Sequence, residues 1–411
     1  MTEKIPIKHE VADIFRMHLK EYEQVHKLSY EQRQAAQAIM DCRTPTMGGV
    51  LNHCDHEGCG YHEFAYKSCK NRHCPKCGTF QKAQWLEAQK VWLLPIHYFH
   101  VVFTIDHVFN PLVWWNQDVM YSHLINTAAQ TLKKYGHQYL GGELGFTLVL
   151  HTWGQTLQKH PHLHFIVTGG ALIETAQGYR WQAAKHNYLF PVDEFSRDFR
   201  VAFCNGVRKL WKTGNLNTCE GNLDIAGMLH KAETTDWEVF IQAPLYGPEK
   251  LIEYLGRYIF RIAISNHRIL DVKHGRVAFQ YYDNREGNKF KGQLKQMTLP
   301  AVEFIGRFLA HVLPKRFVRI RHFGLHHGTC RKKLQQARRL LGLPIQLPII
   351  QQLNLIEWLK QILQTETDPR LCPKCKQGIL RPGREFGPIT GWRVHILPVM
   401  GIFEKWSWSM V

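Results

Sequence analysis

GFTLVLHTWGQTLQKHPHLHFIVTGGAL, residues 145–172, is the stretch whose reading decides the fold. Residues 145–153 and 162–172 are two runs of β-branched and aromatic residues, and both read as strands, with Gly169-Gly170 making a turn. Side chains two apart in a strand face the same side, so His162 and His164 point together while Leu163 points into the opposite core. Two imidazoles that close can share one divalent ion. If the runs pair as a hairpin centred near residues 156–157, His151 lies across from His162. That makes His151 the expected third ligand, with Gln155 of the loop as second choice. In a chain with 25 histidines the pattern alone decides little, because a half-exposed strand gives the same letters.

Outward from this hairpin, residues 97–105, 237–245 and 276–283 are further predicted strands. Helical spacing covers 9–40, with Ser29 as an N-cap, and 81–94, stopped by Pro95. It returns over 111–135, over 248–263 with Pro248 near the first turn, and in a very basic pattern after Leu299. Residues 344–353 read as a linker followed by a short helix. Strands interleaved with helices predict an α+β sheet domain between two flanking modules.

The composition sets the limits. Hydrophobic residues at 45% and charged residues at 21% of 411 exclude a mostly disordered basic tail. No apolar run approaches the roughly 18 residues of a membrane span. The N-terminus lacks the apolar core of a secretory signal, so a cytoplasmic location is expected. Lys+Arg at 52 against Asp+Glu at 34 gives a net charge of +18, which calls for a polyanionic partner.

Eleven cysteines, an odd number, in a chain without an export signal make a disulfide framework a poor reading. Six fall between Cys42 and Cys77. Cys74-Pro-Lys-Cys77 before Gly78 resembles a zinc knuckle, and Cys54 with Cys59 supplies a second pair; four thiolates form a closed structural Zn²⁺ site. Cys42 and Cys69, with His73 and the nearby His53, His56 and His62, either hold a second zinc or are core thiols and surface histidines. Cys372-Pro-Lys-Cys375 is half a site. It is open to Cys330, His326 or His327, to a partner copy, or to no metal at all. Cys204, Cys219 and Cys330 read as small hydrophobes.

Tyr254-Leu255-Gly256-Arg257-Tyr258 puts two tyrosines at i and i+4 on one helical face, with Arg257 as a phosphate-pairing group beside them. Packing aromatics would give the same spacing. Joined to a histidine-held divalent ion, the pair suggests one chemistry: the ion polarises a phosphodiester, a tyrosine attacks, and a covalent phosphotyrosine and a free 3′-OH result. A second tyrosine allows strand exchange.

These motifs resemble the rolling-circle transposases of the insertion-sequence-ninety-one family, the two-tyrosine HUH transposases. The likeness runs from about residue 10 to 345. It is carried by VADIFR (11–16), CRT…GG (42–49), SCKNRHCPKC (68–77), HTWGQTLQKHPHLHFIVTGG (151–170), YLGRYIFRIAISNHRI (254–269) and MTLPAVEFIGRFLAHVLPKRFVRIRHFG (297–324). The resemblance implies His162 and His164 as ligands for Mg²⁺ or Mn²⁺ and Tyr254 and Tyr258 as nucleophiles. It implies cleavage and joining of single-stranded DNA at transposon ends. The expected fold is α+β: a central HUH-endonuclease-type antiparallel sheet with flanking helices, an N-terminal zinc-binding module and a basic helical C-terminal region. The expected domains are 1–90 (zinc-binding), 91–300 (nuclease), 301–345 (basic, DNA-contacting) and 346–411 (a tail with the CPKC knuckle). A plasmid-type replication initiator shares this chemistry, and a zinc-dependent DNA-binding regulator without catalysis is the other alternative.

From Phe304 to Leu343 there is no Asp or Glu, while ten Lys and Arg residues occur. Arg316, Arg319, Arg321, Arg331, Lys332 and Lys333 are the expected phosphate contacts, which predicts steep salt dependence. Trp114, Trp115, Tyr281 and Tyr282 are candidates for base stacking, though core packing is the commoner use. There is no GxxxxGK[ST] loop for ATP, so a host helicase is an expected partner and the nucleoid the expected place of action.

Overall fold

The computed structural model describes residues 8–185, 187–219, 221–247, 250–251, 256, 261–283, 292–347, 356–357, 359–360 and 365–389. Helices α1 (Val11–Val25) and α2 (Tyr30–Asp41) precede strands β1 (Gly49–Cys54) and β2 (His62–Tyr66). Then come α3 (Thr79–Lys90), β3 (His97–Thr104), α4 (Asn110–Trp115) and α5 (Gln117–Leu140). Two hairpins follow, β4 (Gly145–Trp153) with β5 (Lys159–Thr168) and β6 (Gly170–Thr175) with β7 (Gly178–Ala183). Next are α6 (Val192–Lys212), α7 (Ile225–Thr234) and β8 (Val239–Tyr246). A meander of β9 (Ile269–Lys273), β10 (Arg276–Asp283) and β11 (Gln293–Pro300) leads to α8 (Ala301–Leu309), β12 (Ile320–Gly324), α9 (Arg331–Leu340) and β13 (Leu380–Phe386). No helix among the described residues is long and apolar enough to cross a membrane.

The chain forms two compact units that interleave in sequence: 1–81 with 264–306 and 350–411, and 82–263 with 307–349. These do not follow the expected contiguous borders at 90, 300 and 345. The reason is long-range pairing within the first unit. There β13 adds to β1 in a β13–β1–β2 sheet, and the Val11 N–H donates to the Asn266 side chain at 3.2 Å.

In the first unit α1 buries Val11, Ile14, Phe15, Leu19 and Tyr22, the stripe of an amphipathic helix. Ser29 caps α2 as expected. Its hydroxyl accepts from the Gln32 N–H at 3.2 Å, and the Gln32 side chain accepts from the Ser29 N–H at 3.0 Å.

The second unit is built on a five-stranded sheet of order β12–β4–β5–β3–β8, antiparallel at every pairing. Period-two alternation divides its faces. Phe99, Val101, Phe103, Leu148, Leu150, Leu163, Phe165 and Val167 pack into one core with residues of α5 and α6. Burying each contributes about 1.5–3 kcal/mol. The opposite parity carries Tyr98, Val149 and Ile166 together with His100, His151, His162 and His164.

Three local expectations change. The strand expected over 162–172 begins at Lys159 and breaks at Gly169, where the N–H donates to the His97 carbonyl at 2.7 Å and a Cβ would lie 2.6 Å from that oxygen. The helix expected over 111–135 is interrupted at Asn116, whose side-chain amide donates to the Leu112 carbonyl at 2.9 Å. The basic run after Leu299 is not helical throughout: Ile320–Gly324 pairs with β4 as the sheet's edge strand. Pro248 and most of 248–263 lie outside the described residues, as does 348–353 of the expected linker and helix.

Candidate metal centre

The β4–β5 register sets His151 opposite His162, as the hairpin reading expects. His151, His162 and His164 each offer a ligand nitrogen, all within 4.8 Å of one another. Their ring centroids lie 5.3 Å (151–162), 4.6 Å (151–164) and 4.8 Å (162–164) apart. Gln155 sits in the loop between the strands, beyond the end of β4. Burial holds the His162 imidazole down to about 3, helped by the charge of His160, and holds His164 well below its ordinary value. Both are neutral at physiological pH, the state that binds a cation.

Hydrogen bonds orient the rings. His162 Nδ1–H donates to the His160 carbonyl at 2.7 Å, so Nε2 is the nitrogen it can offer a metal ion. For His164 the order comes from two other strands. Gln242 Oε1 on β8 is 3.1 Å from His100 Nδ1, and His100 Nε2 on β3 is 2.9 Å from His164 Nδ1. An amide oxygen only accepts, so His100 donates from Nδ1 and accepts at Nε2. His164 therefore carries its proton on Nδ1, and Nε2 is the nitrogen it can offer a metal ion. Neither His100 nor Gln242 stands out in the sequence. The signal was the parity of His100 within HYFHVVF, which has meaning only once β3 is known to neighbour β5.

The hairpin loop is fixed from behind. His311 Nε2–H donates to the Leu157 carbonyl at 2.9 Å, its Nδ1 faces Thr152 Oγ1 at 3.2 Å, and Arg307 donates to the Thr156 carbonyl at 2.9 Å.

Tyr254, Arg257 and Tyr258 lie outside the described residues. Of the described residues beside them, Leu251 lies against the histidine-bearing face, where it packs with Tyr98, Val149 and Ile166. A Cβ on Gly256 would meet Leu86 at 3.3 Å and Lys82 at 3.5 Å. Arg261 is close enough for its charge to disfavour protonation of His162 and His164.

The cysteines gather in two groups of four, and their partition corrects the expected one. Cys74 and Cys77 join Cys42 and Cys69; Cys54 and Cys59 join Cys372 and Cys375. Sulfur separations are 3.2 Å (42–77) and 3.6 Å (69–77) in the first group, and 3.6 Å (54–375) and 3.8 Å (59–372) in the second. A tetrahedral Zn²⁺ with bonds of about 2.3 Å has sulfur–sulfur edges of about 3.8 Å, so both sets fit the ion. His73 is not in the first group. Crowding splits the acidities there: Cys77 is pushed well down by the thiols of Cys42, Cys69 and Cys74, while Cys74 is pushed well up by its neighbours. A dication relieves that conflict by accepting all four thiolates.

The expected phosphate contacts divide. Arg316, Arg331 and Lys332 are exposed. Arg321 is half-buried, its guanidinium 5.5 Å from the Phe317 ring centroid. Arg319 is buried, with Nη1 3.5 Å from the Arg261 carbonyl. Lys333 is ion-paired to Glu143 at 2.7 Å. Of the aromatic candidates, Trp114, Trp115 and Tyr282 are exposed, and Trp114 is covered by the Lys159 ammonium at 4.6 Å.

Known proteins extend this picture. Residues 145–333 match the family described as "Putative transposase", and residues 14–105 match "Transposase zinc-binding domain". A protein of Sinorhizobium fredii named "Putative transposase y4qJ" is 39% identical over 395 residues, covering 93% of this chain and 96% of its own. The "Transposase for insertion sequence element IS801" of Pseudomonas savastanoi pv. phaseolicola is 26% identical over 309 residues, 74% of this chain and 72% of its own. No solved structure matches. Zinc-module match, transposase match and near full-length similarity to a named relative agree, and the chain belongs to the insertion-sequence-ninety-one (IS91) family of transposases.

Proposed function

We propose that this transposase cuts and rejoins single-stranded DNA at transposon ends by a rolling-circle route, on an HUH-type sheet. The nucleophiles are Tyr254 and Tyr258, and His151, His162 and His164 hold the catalytic ion, Mg²⁺ or Mn²⁺. A donor set made of nitrogen favours Mn²⁺ over Mg²⁺. The bound ion supplies positive charge that polarises the scissile phosphodiester. The tyrosine hydroxyl releases its proton to water, its oxygen bonds to phosphorus, and the bond from phosphorus to the 3′ oxygen breaks. That oxygen takes up a proton as a 3′-OH, and the 5′ end stays on the enzyme as a phosphotyrosine. One phosphodiester is exchanged for another, so a later 3′-OH reverses the step without ATP. The second tyrosine holds the second end. Arg257 and Arg261 are cations for the phosphate, and a host helicase supplies strand separation near the nucleoid.

The observation that carries this reading is the set of three imidazoles, His151 buried and His162 and His164 half-buried, whose ligand nitrogens lie within 4.8 Å of one another on the sheet face against which Leu251 packs. The decisive experiment incubates the protein with a single-stranded transposon-end oligonucleotide and Mn²⁺, then runs a denaturing gel. A protein–DNA adduct is expected for the native chain, together with its loss in His162→Ala. Tyr254→Phe and Tyr258→Phe each abolish strand transfer while binding survives. Full activity of the double Phe variant overturns the proposal.

A further inference from the structure

We propose that Cys54, Cys59, Cys372 and Cys375 bind a second structural zinc ion, distinct from the one held by Cys42, Cys69, Cys74 and Cys77, and that this ion fastens residues 371–386 onto strand β1. The zinc-binding match ends at residue 105 and the transposase match at 333, so Cys372 and Cys375 fall outside both.

Four observations support the site independently of the nuclease reading. First, all four thiols lie within 4.8 Å of one another, though Cys59 and Cys372 are 313 positions apart. Second, residues 372–378 have the turn of a knuckle. Cys372 N–H donates to the Gly378 carbonyl at 2.8 Å, and Gly378 N–H points at Cys375 Sγ at 3.4 Å. His56 N–H does the same for Cys54 Sγ at 3.5 Å. A Cβ on Gly378 would lie 2.5 Å from Cys54 Sγ and 2.6 Å from His56 Cβ, so the two half-sites close against a bare backbone.

Third, the flanks are locked in register. Cys54 pairs with Leu380 and His53 with Arg381 across β1 and β13. Asp55 accepts from Ile379 N–H at 2.6 Å and from Arg381 Nε at 2.9 Å, and Lys374 Nζ donates to the Cys59 carbonyl at 2.8 Å. Fourth, the apolar packing of this segment is small: Phe386 meets Phe64 and Tyr66 edge-on at 5.8 Å and 6.1 Å. In β13 only Leu380 is buried, and it joins Cys59 and Cys372 in a small apolar cluster. So little apolar area does not order a hairpin, whereas structural zinc supplies folding free energy directly.

The full-length protein, purified under reducing conditions, is assayed for zinc by elemental analysis alongside a thiol count. Two zinc ions per chain are expected. Cys372→Ser/Cys375→Ser and Cys42→Ser/Cys69→Ser are each expected to halve that number. In the first variant limited proteolysis should gain a cut within 365–389 while the rest resists. Cobalt substituted into Cys42→Ser/Cys69→Ser should still give the visible spectrum of a tetrahedral thiolate site. A native stoichiometry of one, an unchanged stoichiometry in Cys372→Ser/Cys375→Ser, or a thiol count showing Cys54–Cys375 and Cys59–Cys372 disulfides overturns the proposal. The native stoichiometry and thiol count decide the matter even if a variant fails to fold.

Discussion

His100 Nε2 lies 2.9 Å from His164 Nδ1, and the two rings stack at 5.2 Å. Through this contact a residue outside the triad sets which nitrogen His164 presents. Removing a hydrogen-bond partner that orients a ligating histidine typically weakens metal binding about 10–100-fold. His100→Ala is expected to lose Mn²⁺ affinity in that range by calorimetric titration. Gln242→Leu, which leaves the His100 ring in place but removes its acceptor, is expected to lose less. Native affinity in both variants would remove His100 and Gln242 from the site.

The parts legible in the sequence and the parts not legible differ in physical kind. Period-two alternation placed Leu163 and Phe165 in the core and His162 and His164 on the other face, and a short hairpin fixed His151 opposite His162. These are local properties. The order of strands in a sheet is not local, so nothing in HYFHVVF announced that His100 would meet His164 from a neighbouring strand. The cysteines fail for the same reason. Spacing identified the half-sites, but which halves meet depends on β13 pairing with β1 across most of the chain. In the basic run, the five residues Ile320–Gly324 are too few for a strand signal to outweigh the helical pattern around them.

Acid sensitivity is expected from the second unit. Burial holds His311 down to about 4 and His326 down to about 3. In the unfolded chain both return to about 6.5 and bind protons the folded state refuses. Their contribution is complete above pH 6.5 and is lost as pH falls from there toward about 4 for His311 and about 3 for His326. At about 1.4 kcal/mol per unit, this amounts to a few kcal/mol for each buried ring. Melting temperature should fall more steeply over that window in the native protein than in His311→Gln, which keeps an amide donor for the Leu157 carbonyl. Parallel curves would exclude His311.

The partition of cysteines has its own test. If Cys54 and Cys59 shared an ion with Cys74 and Cys77, Cys42→Ser/Cys69→Ser would leave that ion bound. With Cys42 and Cys69 in the shell, at 3.2 Å and 3.6 Å from Cys77, the variant should lose it. The first unit should then unfold more readily, since a closed site of this kind contributes folding energy outright. Resistance of the Val11–Asp41 helices to protease is the readout, and unchanged resistance would contradict the assignment.

Basic residues that look alike in the sequence should act differently on DNA. Each phosphate contact to a single strand adds about 0.7 to the slope of log affinity against log salt. Arg316, Arg331 and Lys332 are exposed, so Arg316→Ala, Arg331→Ala and Lys332→Ala should each reduce the slope by roughly that amount. Lys333 is held by Glu143 at 2.7 Å, with Glu174 at 3.9 Å, so Lys333→Ala should change the slope little. Glu143→Gln releases that ammonium and should steepen the slope toward one further contact. Arg319→Ala differs again: its guanidinium is buried, so the loss should appear in stability before it appears in salt dependence. A slope that falls equally for Lys333→Ala and Lys332→Ala would show that DNA displaces Glu143 from its partner.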